Sequence, residues 1–483
     1  MQPSGSARSP WRALGLLALA AAGATVLYLL RPGALTEDTY AFLDWGRDLR
    51  HGYLPLLEHR TFHPVPILAG SLLSLLGSAA PTATVLAALG ALVLLACACW
   101  RVVRLLGFAQ PAPALAALLV LSSPLLSLLA QIAYINLPFA ALLMWALVLE
   151  LEERRAGAWT LLVLAGLVRP EGWAFLLAYG ALRWWRTGRP REPRRLAGLA
   201  ALALGPMVLW LLLEWQLFGR PLYSFTETRA PNVPATGSGT PSGLWTSLHF
   251  SVPFAPLIAA ALGVIAIARL APRRAAVTVL GMTAVAAVTL GVLASLKFNV
   301  PGRHFSVFVA LVCVLAAAGA AAPARALARA ARSSPRALVA VGAAGAALVA
   351  GLAVAPTVTR LEHNFRTVRV TYRQRGTLDR ALTQTLRLVD VRGARRHSVA
   401  LVGVEDVSEV VWGLGVPYNV VTDAIEPHTL LIVEPSRFGY HQLGRLGLTN
   451  RPRLAAPHGW RLLVQTRDWQ VWAPAKRTPI RLS

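Results

Sequence analysis

"HPVPILAGSLLSLLG", residues 63–77, is apolar enough to pass for a membrane span, and its reading decides the topology of all that follows. Fifteen residues reach about 22 Å as a helix, short of a hydrocarbon core ~30 Å thick. Pro64 and Pro66 stand at its start. Counted as a span, it would place Arg101 and Arg104 outside and break the alternation of basic loops described next. The segment therefore reads as a helix lying in the outer membrane interface, inside one long external loop, residues 32–81.

Outward from this segment, apolar runs dominate. The chain has 483 residues, 55% hydrophobic and only 14% charged, where soluble domains carry about 25% charge. About eleven runs approach spanning length: 12–31, 82–100, 112–130, 135–151, 157–169, 173–187, 196–216, 252–270, 275–296, 304–322 and 336–356. The fold class is a mainly α polytopic membrane protein. With the N-terminus cytoplasmic, the inner segments hold nineteen arginines, from Arg8 and Arg12 to Arg332 and Arg336. The opposite loops hold nine basic residues: Arg31, Arg47, Arg50, Arg60, Arg169, Arg220, Arg229, Lys297 and Arg303. That is the positive-inside bias. It places loops 32–81 and 217–250 and the C-terminal part outside, in a multi-pass plasma-membrane protein. The first run, beginning after a basic start, reads as a retained helix rather than a cleaved signal.

The net charge of +25 does not point to nucleic acid. Forty-five of the 47 basic residues are arginines, many of them in short loops where charge sets topology. Cys97, Cys99 and Cys313 all lie inside apolar runs and read as packing residues.

Residues 1–356 form the membrane domain. After Pro356 no run can span, and strand-like pieces appear at 398–404, 428–435, 460–466 and 469–474. Helical stretches near 375–390, 405–413 and 436–446 separate some of them. Residues 357–483 thus read as a small extracytoplasmic α/β domain, suited to support or acceptor docking.

The candidate chemistry lies on the outer side. "LTEDTYAFLDWGRDLRHG" (35–52) carries four of the chain's 22 acids. As a helix from Asp38, it puts Asp44 and Asp48 on one face, with Arg47 in reach of Asp44. These two read as solvated charges on an interfacial helix. Glu37 and Asp38 sit just past the first span, where a carboxylate can act as general base or hold a divalent cation such as Mg or Mn. Further along, "GLVRPEGWAF" interrupts an apolar run with Arg169 and Glu171. Ionisable groups at membrane depth are costly and mark function, although Pro170 and Gly172 also fit a plain turn. In "PGRHF", Arg303 and His304 open a helix at its outer end, a good place for an anion, although an arginine there equally fits plain snorkelling to the interface.

In order, these pieces are one helix, an "EDTY" loop with a His63–Pro64 interface helix, and "WRVVRLLG". After them come "RPEG", "FGRPLYSF", "PGRHF" and an external C-terminal domain. This order resembles the GT-C integral-membrane glycosyltransferases, which include protein O-mannosyltransferases and lipid A aminoarabinose transferases. The resemblance spans residues 12–322. It implies inverting transfer of a sugar from a polyprenyl-phosphate donor to a hydroxyl of a lipid, glycan or protein acceptor. By the same resemblance Asp38 is the catalytic acid of the first external loop, with Glu37 beside it. Arg303 meets the donor phosphate, assisted by Arg169. Glu171, His304, His63 and Asp44 are possible supports. Many relatives carry an acid in the turn where "QIAYINLPF" has Asn136, so a second carboxylate would come from Glu171 or Asp44. A transporter or lipid flippase is the alternative for so many helices, although no internal repeat of the kind transporters show is evident.

Overall fold

The structure is a computed structural model describing residues 10–30, 35–52, 62–187, 192–227, 245, 248, 251–252, 254–296 and 302–330. It also describes five strands between residues 399 and 474. The expected span 336–356, most of the loop 217–250 and the expected helices after 357 lie outside the described residues. Two compact units emerge: residues 1–33, 59–65 and 82–365, and residues 34–58, 66–81 and 366–483.

The first unit is helical because its runs of Ala, Leu and Val satisfy their backbone only within themselves, as a membrane demands. Its helices are α1 (Pro10–Leu30), α4 (Ala80–Leu105), α5 (Ala112–Ser122), α6 (Pro124–Gln131), α7 (Asn136–Leu151), α8 (Arg155–Val168) and α9 (Gly172–Arg186). They continue with α10 (Pro193–Phe218), α11 (Tyr223–Glu227), α12 (Phe254–Leu270), α13 (Arg273–Ser295) and α14 (Ser306–Ala330). Among the described residues four stretches are long and apolar enough to cross a membrane: 64–105, which takes in most of the segment expected to lie in the interface, 193–218, 273–295 and 303–322. The expected span 112–130 is not one helix. Pro124 has no N–H to continue α5, Ser123 turns extended and caps α6 through Leu126 N, and the two pieces meet at 54°.

Burial separates the helices by role. The apolar window of α14 is 78% buried, whereas those of α10 and α13 are 17% buried. α14 is thus the enclosed helix, and α10 and α13 carry apolar side chains on the outside, as suits a lipid surround. Small residues let α12 and α14 touch. A Cβ on Gly263 would lie 1.9 Å from the Leu315 carbonyl oxygen, and one on Gly319 would lie 2.0 Å from that of Ala259.

The second unit holds α2 (Glu37–Arg50) and most of α3 (Pro64–Leu73), which runs into a 3-10 turn, Ser74–Ala79. Thr36 caps α2 by accepting from Thr39 N, and Glu37 and Asp38 occupy the first turn, where the helix dipole favours acids. Glycines seat α2 directly on α3: a Cβ on Gly46 would lie 2.1 Å from Ser71 N, and one on Gly70 2.0 Å from Phe42 O. This contact corrects the expectation of solvated acids. Asp44 is fully buried and Asp48 is 3% exposed, with Arg47 Nη2 donating to Asp44 at 3.0 Å. Leu43 and Trp45 are buried as well, so α2 is enclosed rather than laid on a surface.

The strands β1 (Val399–Val402), β2 (Val421–Thr422), β3 (Leu430–Val433), β4 (Trp460–Gln465) and β5 (Gln470–Pro474) form one mixed sheet, ordered β2-β1-β3-β5-β4. β1 pairs in parallel with β2 and β3, while β5 runs antiparallel to β3 and β4. Four of them fall within the expected strand pieces; Val421–Thr422 was not foreseen.

Candidate functional site

The turn between α8 and α9 is built by its sequence. Pro170 stops α8, Arg169 adopts extended backbone (φ −149°, ψ 141°), and Gly172 N closes the turn on Arg169 O at 3.0 Å. Gly172 is required by space, since a Cβ there would lie 2.7 Å from the Gly166 backbone. The turn holds Arg169 and Glu171 two residues apart. Their side chains form a two-pronged pair, Nη2 to Oε1 at 2.6 Å and Nε to Oε2 at 3.1 Å. Such a fork is the strongest geometry for this pair.

His304, in the 3-10 turn Gly302–Phe305 ahead of α14, places Nδ1 2.9 Å from Glu171 Oε1 and 3.3 Å from Arg169 Nη2. Burial by itself would raise the Glu171 carboxyl. The Arg169 charge and the hydrogen bonds from His304 and Arg169 override it and hold the carboxyl well below the usual carboxylate range. A carboxylate held ionised in this way accepts protons poorly, so Glu171 fits the task of orienting Arg169 better than that of a base.

Asn136, at the start of α7, joins the arms of the cluster. Its Oδ1 accepts from Arg169 Nη1 at 2.7 Å, and its Nδ2 donates to the Arg303 carbonyl at 2.8 Å. Arg303 in turn lies 4.9 Å from the Tyr134 ring centroid and donates to the Tyr134 hydroxyl. The approach to Asn136 passes through Ala133 at φ 52°, a left-handed cap that a side chain rarely adopts, closed by Tyr134 N to Leu129 O at 2.8 Å. Beside the cluster lies a small cavity of about 20 Å³, room for one water. Asn136, Arg169, Glu171 and His304 line it together with Phe139, Phe175, Leu290, Leu293 and Phe308.

Of the expected site residues, Arg169, Glu171, His304 and Arg303 come together. Asp38, half-buried, and Asp44 lie on α2 in the other unit, and the Glu37 side chain lies outside the described residues. His63 is one residue removed from Arg169, with Nδ1 2.9 Å from Val168 O. Asn136 and Tyr134 were missed as organisers; two polar side chains next to a break in an apolar run were the available signal. Among the described residues no three His, Cys, Asp or Glu side chains gather to hold a metal ion, and both Glu171 oxygens are taken by Arg169. The described residues at this cluster therefore do not fit a divalent cation.

A second charged cluster sits ~21 Å along α7, around Glu150. Its Oε1 accepts from Arg186 at 2.7 Å and Arg274 at 3.4 Å, and its Oε2 from the Tyr179 hydroxyl at 2.7 Å. Arg183 lies at 3.9 Å, and Arg186 also donates to Thr278 at 3.0 Å.

No known family pattern and no curated protein matches the chain. Among solved structures it is similar to ArnT from Cupriavidus metallidurans bound to undecaprenyl phosphate. That match has a TM-score of 0.59 and 13% identity, covering 96% of this chain and 98% of that one. The same protein in the apo state gives 0.58 and 15%, covering 95% and 98%. At such identities the likeness shows the fold alone. The chain is a helical membrane protein with an ArnT-like fold, which bears out the GT-C resemblance at that level.

Proposed function

We propose that this chain is an integral-membrane glycosyltransferase that moves a sugar, with inversion, from a polyprenyl-phosphate donor to an acceptor hydroxyl on the extracytoplasmic face. The observation that supports the reading is the ArnT-like fold, with Arg169, Glu171, His304 and Asn136 gathered beside a small cavity that apolar side chains also line. A lipid phosphate needs a cationic partner for its head group, which arginine supplies, and apolar surroundings for its isoprenoid tail. ArnT has been crystallised with undecaprenyl phosphate, the carrier class this reading assigns here.

In this reading Arg169 and Arg303 meet the phosphate charge that grows as the sugar–phosphate bond breaks. Glu171 and His304 keep Arg169 aimed, and Asp38 takes the proton of the attacking hydroxyl. Residues 1–356 with their eleven spans are the catalytic membrane domain, and residues 357–483 an extracytoplasmic domain facing the acceptor. The test is transfer of radiolabelled sugar in membranes supplied with candidate polyprenyl-phosphate sugars. Asp38→Asn, which keeps size but not proton acceptance, should lower transfer by ~10²–10⁴ with donor binding intact. Wild-type turnover in that variant refutes the assignment of the base, and transfer from none of the donors refutes the function.

A further inference from the structure

The C-terminal carbonyls of α8 lack partners within the helix, and Pro170 offers no N–H to them. One of these carbonyls, Val168 O, meets the His63 ring, with Nδ1 at 2.9 Å. A carbonyl can only accept, so Nδ1 carries the proton and donates. The His63 ring is 8% exposed and stands edge-on to Trp210, 5.8 Å between centroids at 85°. The chain just before it is pinned as well. Phe62 N donates to Ser224 Oγ at 2.8 Å, in α11 at the start of the outer loop.

Ser224 is itself anchored on Glu214, a fully buried carboxylate of α10. Glu214 Oε1 accepts from Ser224 Oγ, from Ser224 N at 3.3 Å and from Trp210 Nε1 at 2.9 Å. A carboxylate with no water around it is costly unless it is hydrogen-bonded; all three bonds fall on one oxygen, and two of them come from Ser224. Buried contacts therefore run unbroken from Glu214 through Ser224, Phe62 and His63 to Val168, the residue before Arg169.

We propose that His63, held by the Glu214–Ser224 pair, is a positioning residue for Arg169. It touches no substrate. It fixes the carbonyl from which the extended Arg169 backbone departs, and so the direction in which the guanidinium leaves the turn. The proposal rests on the reading of Arg169 as the phosphate clamp.

Two substitutions separate the bond from the packing. His63→Phe keeps a ring against Trp210 but donates nothing to Val168. His63→Asn loses the ring but carries an amide N–H where Nδ1 stood. In the purified full-length protein, His63→Phe should weaken undecaprenyl phosphate binding about tenfold, the worth of one hydrogen bond. It should raise the donor KM with kcat little changed, and His63→Asn should recover most of the loss. Glu214→Gln keeps the accepting oxygen and should bind nearly as the wild type, whereas Ser224→Ala should weaken binding as His63→Phe does.

A cycle of thermal unfolding with His63→Phe and Glu171→Gln, singly and together, needs no ligand. His63→Phe keeps a ring against Trp210 and removes the bond to Val168 O, so non-additive shifts support the proposal and additive shifts overturn it. Wild-type binding in His63→Phe, or binding by His63→Asn as weak as by His63→Phe, also overturns it. A wild-type protein that binds no undecaprenyl phosphate refutes the functional reading instead, and the unfolding cycle still decides this one.

Discussion

Glu150 and Glu171 are both glutamates set among arginines in the helical unit, yet they keep different company. Glu150 draws on α9 and α13: Arg186, Arg274 and Tyr179 donate to it, and both of its oxygens are occupied. Every bond there ties one helix to another, which describes a staple. Glu171 is forked by an arginine of its own turn, two residues away, and touched by one histidine. Through Asn136 and His304 the fork also reaches the head of α7 and the turn ahead of α14. It spends a buried carboxylate on aiming one guanidinium, beside a cavity and behind a strained turn at Ala133. Backbone strain held at such a place is a mark of function rather than of stability. In the proposed reading, one residue type in similar chemistry thus serves structure at one position and a site at the other.

The contrast is open to breakage, and the largest effect belongs to the Glu171 cluster. Arg169→Ala combined with Glu171→Gln removes both charges without leaving one buried alone. Transfer should fall ~10²–10³ as an anion-stabilising group is lost, while thermal unfolding shifts little. At the staple, Glu150→Gln should do the reverse. Arg186 loses its counter-charge, at a cost of about 3 kcal/mol, below the full burial penalty because the Arg274 side chain is 39% exposed and keeps Glu153 as a partner. Turnover per folded molecule should hold. If Glu150→Gln abolishes turnover in folded protein, the two clusters are not distinct in kind.

Acid sharpens the comparison further. The Glu171 carboxyl is held below its ordinary value, so what it contributes to stability is fully present above the ordinary carboxylate range. That contribution fades only as pH falls through the lowered value. Unfolding curves for wild type and Glu171→Gln should therefore run parallel from pH 8 to about 5 and converge below about 4. Convergence already near pH 6 would contradict the fork. The smallest effect is expected at Ala133. Ala133→Gly relieves the left-handed cap but frees the unfolded chain, and the two nearly cancel, within ~1 kcal/mol. A clear change in donor KM with unchanged unfolding would show that the strain serves the site.

The apolar runs made the helices legible, and arginines at odds with apolar surroundings made Arg169 and Arg303 legible as candidates. Other features were hidden for stated physical reasons. Asp44 and Asp48 look solvated along one helix, because the glycine crossing that buries α2 involves Gly46 and Gly70, far apart in the chain. Glu150 sits in "VLELEERR" among exposed-looking charges, and only the tertiary meeting with α9 and α13 shows it to be buried. Asn136 was read as a missing acid. In the structure an amide does what a carboxylate cannot there, accepting from Arg169 while donating to the Arg303 carbonyl.

The touching backbones of α12 and α14 have a mechanical consequence. Two helices resting on each other at Gly263 and Gly319, without intervening side chains, have little freedom to slide or to change separation. They behave as one beam. His304 and Arg303 sit at the head of that beam, in the turn that opens α14. A thrust that shifts α12 along its axis would therefore be delivered to them almost undamped. A bulky residue at either glycine would act as a wedge, felt at the far end as a change of aim.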